Sequence, residues 1–121
     1  MDQIKELEKT FLEEYKAANL LIENEMFKSS IIMLSKSLFA LADYLIFIKY
    51  KKLPKNHSER FRILQIKENN IYHKLDQVWS KYTDSYSKPT NNESVNMFKK
   101  TIKDIVNKNE NFSEEIKKII E

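Results

Sequence analysis

The sequence predicts an all-α fold, an up-and-down bundle of four main helices plus a short one, and three observations carry that expectation. Apolar residues recur at spacings of three and four along most of the chain, as on a helix with one covered face. The only two prolines, Pro54 and Pro89, fall where this pattern breaks. The 121 residues include no glycine, which disfavours tight strand hairpins, and no alternation of period two marks a strand. A chain of this length fits one domain spanning 1–121.

The first helix is expected from Gln3 to about Asn24, with Ile4, Leu7, Phe11, Tyr15, Ala18 and Ile22 on one face and Glu6, Lys9, Glu13 and Lys16 opposite. A second runs from about Met26 to about Lys51. Its polar positions Ser29, Lys36 and Asp43 form only a narrow stripe, so most of its circumference should be covered. Met33, Ala40, Tyr44 and Phe47 make a further apolar strip away from the main core face. A helix that is apolar on two sides needs a partner on both, either another helix of this chain or a second subunit, and a homodimer through this strip is the expectation.

Pro54 disfavours helix at Leu53 and ends the second helix in a loop from Lys51 to Lys55. Asn56 reads as an N-cap, with Glu59 three positions on as in a capping box, and Phe61, Ile63, Leu64 and Ile66 supply the apolar face of a short third helix. After a break at Lys67 to Asn70, a fourth helix turns Ile71, Leu75, Val78, Tyr82 and Tyr86 inward, with Trp79 beside them. Ser87 to Thr90 closes it, and Thr90 with Glu93 forms a second capping box. The fifth helix places Val95, Phe98, Ile102 and Ile105 on one face, and Ser113 caps a last short turn carrying Ile116, Ile119 and Ile120.

Composition removes several functions. Without glycine there is no P-loop and no dinucleotide fingerprint. Without cysteine there is no disulfide framework, thiolate metal site or cysteine nucleophile, and the inward Glu-x-x-His pair of di-metal bundles is missing despite Glu6, Glu13, Glu14 and Glu23. No metal and no cofactor are expected. Nineteen lysines and two arginines, Arg60 and Arg62, leave a net charge of +3, enough for weak anion attraction and too little for a DNA-coating protein. The acidic, polar start does not read as a signal peptide, and Lys36 and Asp43 interrupt the apolar stretch from Ile31 to Ile48. A cytoplasmic protein with no membrane span is expected.

The segment from Leu21 to Leu45, a short turn leading into a helix rich in small and aromatic residues, resembles the start of the second helix in HEPN domains, the higher eukaryotes and prokaryotes nucleotide-binding family. The resemblance continues through Leu53-Pro-Lys-Asn-His-Ser-Glu-Arg-Phe, the Lys81 to Tyr86 region and the Ser94 to Ile105 helix, and so covers most of the chain. Its most specific element is His57, opening the third helix a few residues after a basic residue that ends the second. In active members that basic residue is arginine, and the pair forms a metal-independent ribonuclease site, often shared across a homodimer. Here the matching position is Lys52, with four intervening residues, or Lys51, with five. Lysine offers a point charge where arginine offers a planar fork. The tyrosine that some members carry two residues after the histidine, for nucleotide attachment by a partner nucleotidyltransferase, is Glu59 here, so that regulation is not expected.

The resemblance implies a protein that binds or cleaves RNA or nucleotides without a metal, as the toxin-like partner of a small nucleotidyltransferase. Histidine titrates near neutrality and suits proton transfer, so His57 with Lys51 or Lys52 is the candidate catalytic set. Lys55, Asn56 and Ser58 are the candidate phosphate contacts. His73 is assigned no role, the aromatic residues read as core, and Lys99, Lys100, Lys103 and Lys108 read as a solvated face that can also steer a phosphate backbone. The competing reading is a non-catalytic binding or adaptor bundle that has lost the family's arginine.

Overall fold

The computed structural model describes residues 2–84 and 87–121. Among these residues six helices follow in order: α1 (Asp2–Glu23), α2 (Phe27–Tyr50), α3 (His57–Lys67), α4 (Asn69–Asp84), α5 (Asn92–Asn107) and α6 (Glu114–Ile119). Four are long and two short, and no strand occurs among the described residues. α2 is the central element, packed against α1, α3, α4 and α5, while α6 closes against α1 and α5.

The narrow polar stripe of α2 has the consequence expected of it. From Ser37 to Ile46 every residue is buried, with Leu38, Leu41, Leu45 and Ile46 fully enclosed. Within this run the Ser37 hydroxyl donates to Leu34 O, and earlier Ser30 and Ser35 donate to Phe27 O and Ile31 O, so small polar residues sit in the core without orphaned groups. By length and hydropathy (1.9) α2 could cross a membrane, but 72% of that stretch is buried inside the bundle. Phe11, Tyr15 and Ala18 of α1, Leu75 and Val78 of α4, and Phe98, Ile102 and Ile105 of α5 complete the core.

The local signals hold with three corrections. Asn56 caps α3, its side chain accepting from Glu59 N, but the Glu59 carboxylate accepts from Lys55 N, one residue before the cap. The cap of α5 is Asn91, whose side chain accepts from Ser94 N, not Thr90; the Thr90 hydroxyl is buried without a hydrogen-bond partner among the described residues. Ile66, expected on the inner face of α3, is 72% exposed, because the core positions of that helix are Ile63 and Leu64 and the buried place one turn before Leu64 belongs to Arg60. The break between α3 and α4 shrinks to Glu68, and Ser113 caps α6 as expected. The expected inward position of Tyr86 lies outside the described residues.

The second apolar strip of α2 is largely covered by the chain itself. Ala40 and Tyr44 are buried, and Tyr44 stacks on Phe112 with ring centroids 5.6 Å apart. These two residues are therefore not an exposed face for a second subunit. Met33 and Phe47, on either side of the covered stretch, are half-buried.

Candidate functional site

The polar stripe of α2 and the first turn of α3 meet at one cluster. Asp43 lies two helical turns after Lys36 on the same stripe, and His57 and Arg60, three apart, share a face of α3. Arg60 donates from Nε to Asp43 Oδ1 at 2.7 Å and from Nη2 to Asp43 Oδ2 at 2.9 Å, a forked pair with both residues 9% exposed. Its guanidinium lies 5.0 Å from the Phe39 ring centroid. Arg60 Nη1 also lies 2.6 Å from His57 Nδ1.

That last contact fixes the proton inventory of His57. A guanidinium nitrogen only donates, so Nδ1 must accept, and the neutral ring carries its hydrogen on Nε2. The imidazole packs edge-on against Phe39 (4.7 Å) and tilted on Trp79 (5.1 Å), while the residue as a whole stays exposed. Burial of the ring, and then the Arg60 charge, push its pKa below the ordinary value of 6.5, with Asp43 partly opposing. At neutral pH His57 is an uncharged ring offering an N–H.

An open groove of about 270 Å³ runs over this cluster, lined from α1 by Leu7, Thr10 and Glu14 and from the rest by Lys36, Phe39, Ala40, Asp43, His57 and Arg60. Burial raises the pKa of Glu14, Lys36 opposes that rise, and one Glu14 oxygen is buried without a hydrogen-bond partner among the described residues. Since Asp43 neutralises Arg60 and Glu14 faces Lys36, the groove carries little net charge. It is suited to neutral donor and acceptor contacts and to proton exchange at His57 more than to holding a phosphate unaided.

The lysines named from the sequence stand elsewhere. Lys51 ends α2 in the left-handed conformation, with its Nζ donating to Ile48 O. Lys52 lines a different cavity, with Tyr50, Arg62, Ile63, Ile66 and Lys67. Lys55 and Ser58 are exposed, and Asn56 is engaged as the α3 cap. Among the described residues no ion pair involves Lys51, Lys52 or Lys55. The structure thus places His57 with Arg60 and Asp43, and Lys52 with Arg62 and Lys67.

Arg60 lies one turn after His57, whereas the basic residue that the resemblance implies precedes the histidine. A signal was present, since an aspartate in the middle of an otherwise apolar helix requires a cation to be buried. His73 is exposed beside Tyr72, and Lys99 is held by Asn19 (2.6 Å) over the Tyr15 ring. No group of three metal-ligating side chains occurs among the described residues. Compared with known proteins, the chain matches no family model, no curated sequence and no solved structure.

Proposed function

We propose that this chain is a HEPN-like cytoplasmic domain that binds RNA through backbone phosphates, on the surface made by the 51–56 loop and the mouth of the His57 groove. The observation that supports this best is the run of exposed Lys51, Lys52 and Lys55, with no carboxylate partner among the described residues, directly before His57 in the chain, a histidine kept neutral by burial and then by the Arg60 charge. Unpaired lysines attract phosphate by displacing counterions, and the His57 Nε2–H supplies a directed donor. Metal-independent cleavage at the same surface is the second reading, favoured by the lowered pKa that keeps His57 unprotonated at pH 7. It requires the Arg60 contact to open, because the nitrogen that would accept a proton is occupied by it.

Trp79, the single tryptophan, lies against His57 and reports on this surface. Labelled single-stranded RNA of mixed sequence, titrated in EDTA, should bind with an affinity that falls as salt rises and should change Trp79 emission. The double charge reversal Lys51→Glu with Lys55→Glu should weaken binding by about tenfold or more while the helical circular dichroism is retained. No binding at low salt, or binding indifferent to both reversals, would leave the adaptor reading.

A further inference from the structure

A second cavity shares no lining residue with the His57 groove, and Lys52 is the one residue of its lining that the RNA reading uses. It is a half-open depression of about 450 Å³ lined by Tyr50, Lys52, Arg62, Ile63, Ile66 and Lys67. That volume falls within the ~300–1,000 Å³ usual for small-molecule sites. Its apolar surface is unusual for a lysine-rich edge: Ile66 shows 72% of its area, and Ile63 continues the same side of α3 inward. A large aliphatic residue left this open on a short helix lacks the cover that the rest of the bundle gives its isoleucines.

The rim is cationic. Lys52, Arg62 and Lys67 line the cavity, and no carboxylate does. Two flanking acids, Glu68 and Glu59, have partners other than the rim cations. Glu68 takes Lys49 Nζ at 3.0 Å and the Tyr50 hydroxyl, which that bond keeps protonated by pushing its pKa up to about 12. Glu59 reaches Arg62 Nη2 only at 3.9 Å, and the Arg62 side chain is 67% exposed. Lys67 Nζ stands 5.3 Å from the Tyr50 ring centroid, drawn over its face. Three cations around an apolar floor complement a dianion with a compact apolar body, and Arg62 supplies the planar fork that phosphate geometry favours.

We propose that this cavity binds a small organic phosphate monoester of aryl or alkyl type, the phosphate held by Arg62, Lys52 and Lys67 and the apolar body resting on Ile63, Ile66 and the Tyr50 ring. The cavity shares no lining residue with the His57 groove and meets the RNA surface at Lys52 alone, and its apolar floor is unnecessary for a phosphate backbone.

The test is calorimetric titration with 1-naphthyl phosphate, inorganic phosphate and 1-naphthol, in wild type and in Arg62→Glu, Ile66→Glu and His57→Gln. Both rim and floor positions are exposed, so the folds should survive, and circular dichroism checks this. Saturable one-to-one binding of 1-naphthyl phosphate is expected, weakened about tenfold or more by Arg62→Glu and by Ile66→Glu and unchanged in His57→Gln. Inorganic phosphate and 1-naphthol should each bind at least about tenfold more weakly, because each lacks one half of the recognition. The proposal is overturned by an absence of saturable binding, by inorganic phosphate binding equally well, or by loss of binding in His57→Gln with retention in Arg62→Glu. RNA affinity in the Lys51→Glu, Lys55→Glu variant is a separate measurement, so either reading can fail alone.

Discussion

The Arg60 guanidinium grips the Asp43 carboxylate through a two-point fork, at 2.7 and 2.9 Å, and the pair joins the first turn of α3 to the middle of α2. Removing one member leaves the other charge buried. Asp43→Ala or Arg60→Met should each cost about 3–5 kcal/mol, whereas the double change Asp43→Leu with Arg60→Met should cost much less, since an apolar pair of similar volume avoids both desolvation terms. Urea unfolding of the four proteins closes the cycle. Additive losses would show that the pair does not act as a unit.

The same pair governs His57, and the direction can be read in solution. Burial is the main cause of the lowered His57 pKa; beside it Arg60 lowers the value and Asp43 raises it, so Arg60→Met should move it up toward 6.5 and Asp43→Asn should move it further down. Titration of the His57 ring protons by NMR distinguishes the two directions. Movement of both variants the same way would contradict the proposed arrangement.

A pH dependence of stability follows from the depressed value. Below pH 6.5 the unfolded chain takes a proton at this residue while the folded chain does not, so folding is weakened as pH falls through 6.5 and the loss is complete once the folded value is passed. Glu14 acts with the opposite sign at lower pH: its folded value is raised above 4.5, so protonation there favours the folded chain as pH falls. The midpoint of thermal unfolding should therefore decline on acidification from pH 7, and His57→Gln should flatten the first part of that decline. A profile identical to wild type would show that His57 is not the group responsible.

Helix boundaries supply a contrast between two adjacent residues. Asn91 accepts from Ser94 N and caps α5, so Asn91→Ala should cost about 1 kcal/mol. The Thr90 hydroxyl is buried without a hydrogen-bond partner among the described residues, so Thr90→Val, which removes the orphan and keeps the shape, should be neutral or stabilising. Urea midpoints at constant m value measure both. Reversed effects would restore Thr90 as the cap.

The helical elements and the core were legible because both rest on periodicity: the inward rows of α1, α4 and α5 are buried or half-buried, and α2 is covered around most of its circumference beside a narrow polar stripe whose Ser29 and Lys36 stay exposed. The candidate site was half legible. His57 was identifiable from its place after a loop and an N-cap, but its partners depend on how α3 lies across α2, which no local pattern specifies. The Asp43 side chain, read as part of a polar stripe, is instead the anchor for Arg60. Tyr44 was read as an outward contact because the wheel of α2 cannot show that Phe112, 68 residues later, folds back onto it.

The absence of glycine carries one more consequence, for the ends of α1 and α2. Glu25 (φ 57°) and Lys51 (φ 56°) both occupy the left-handed region that glycine enters without a Cβ penalty. A residue with a Cβ pays about 1–2 kcal/mol there, and glycine loses roughly 0.5–1 kcal/mol of that advantage through the greater freedom of the unfolded chain. Glu25→Gly should thus stabilise the protein slightly, by up to about 1 kcal/mol, without touching the basic loop. Lys51→Gly should gain less, since it also gives up the exposed Nζ contact to Ile48 O. Glu25→Val should destabilise, because β-branching is least tolerated at positive φ. Urea unfolding with unchanged m value is the measurement, and a loss of stability in Glu25→Gly would mean that the side chain contributes more at this turn than its backbone conformation costs.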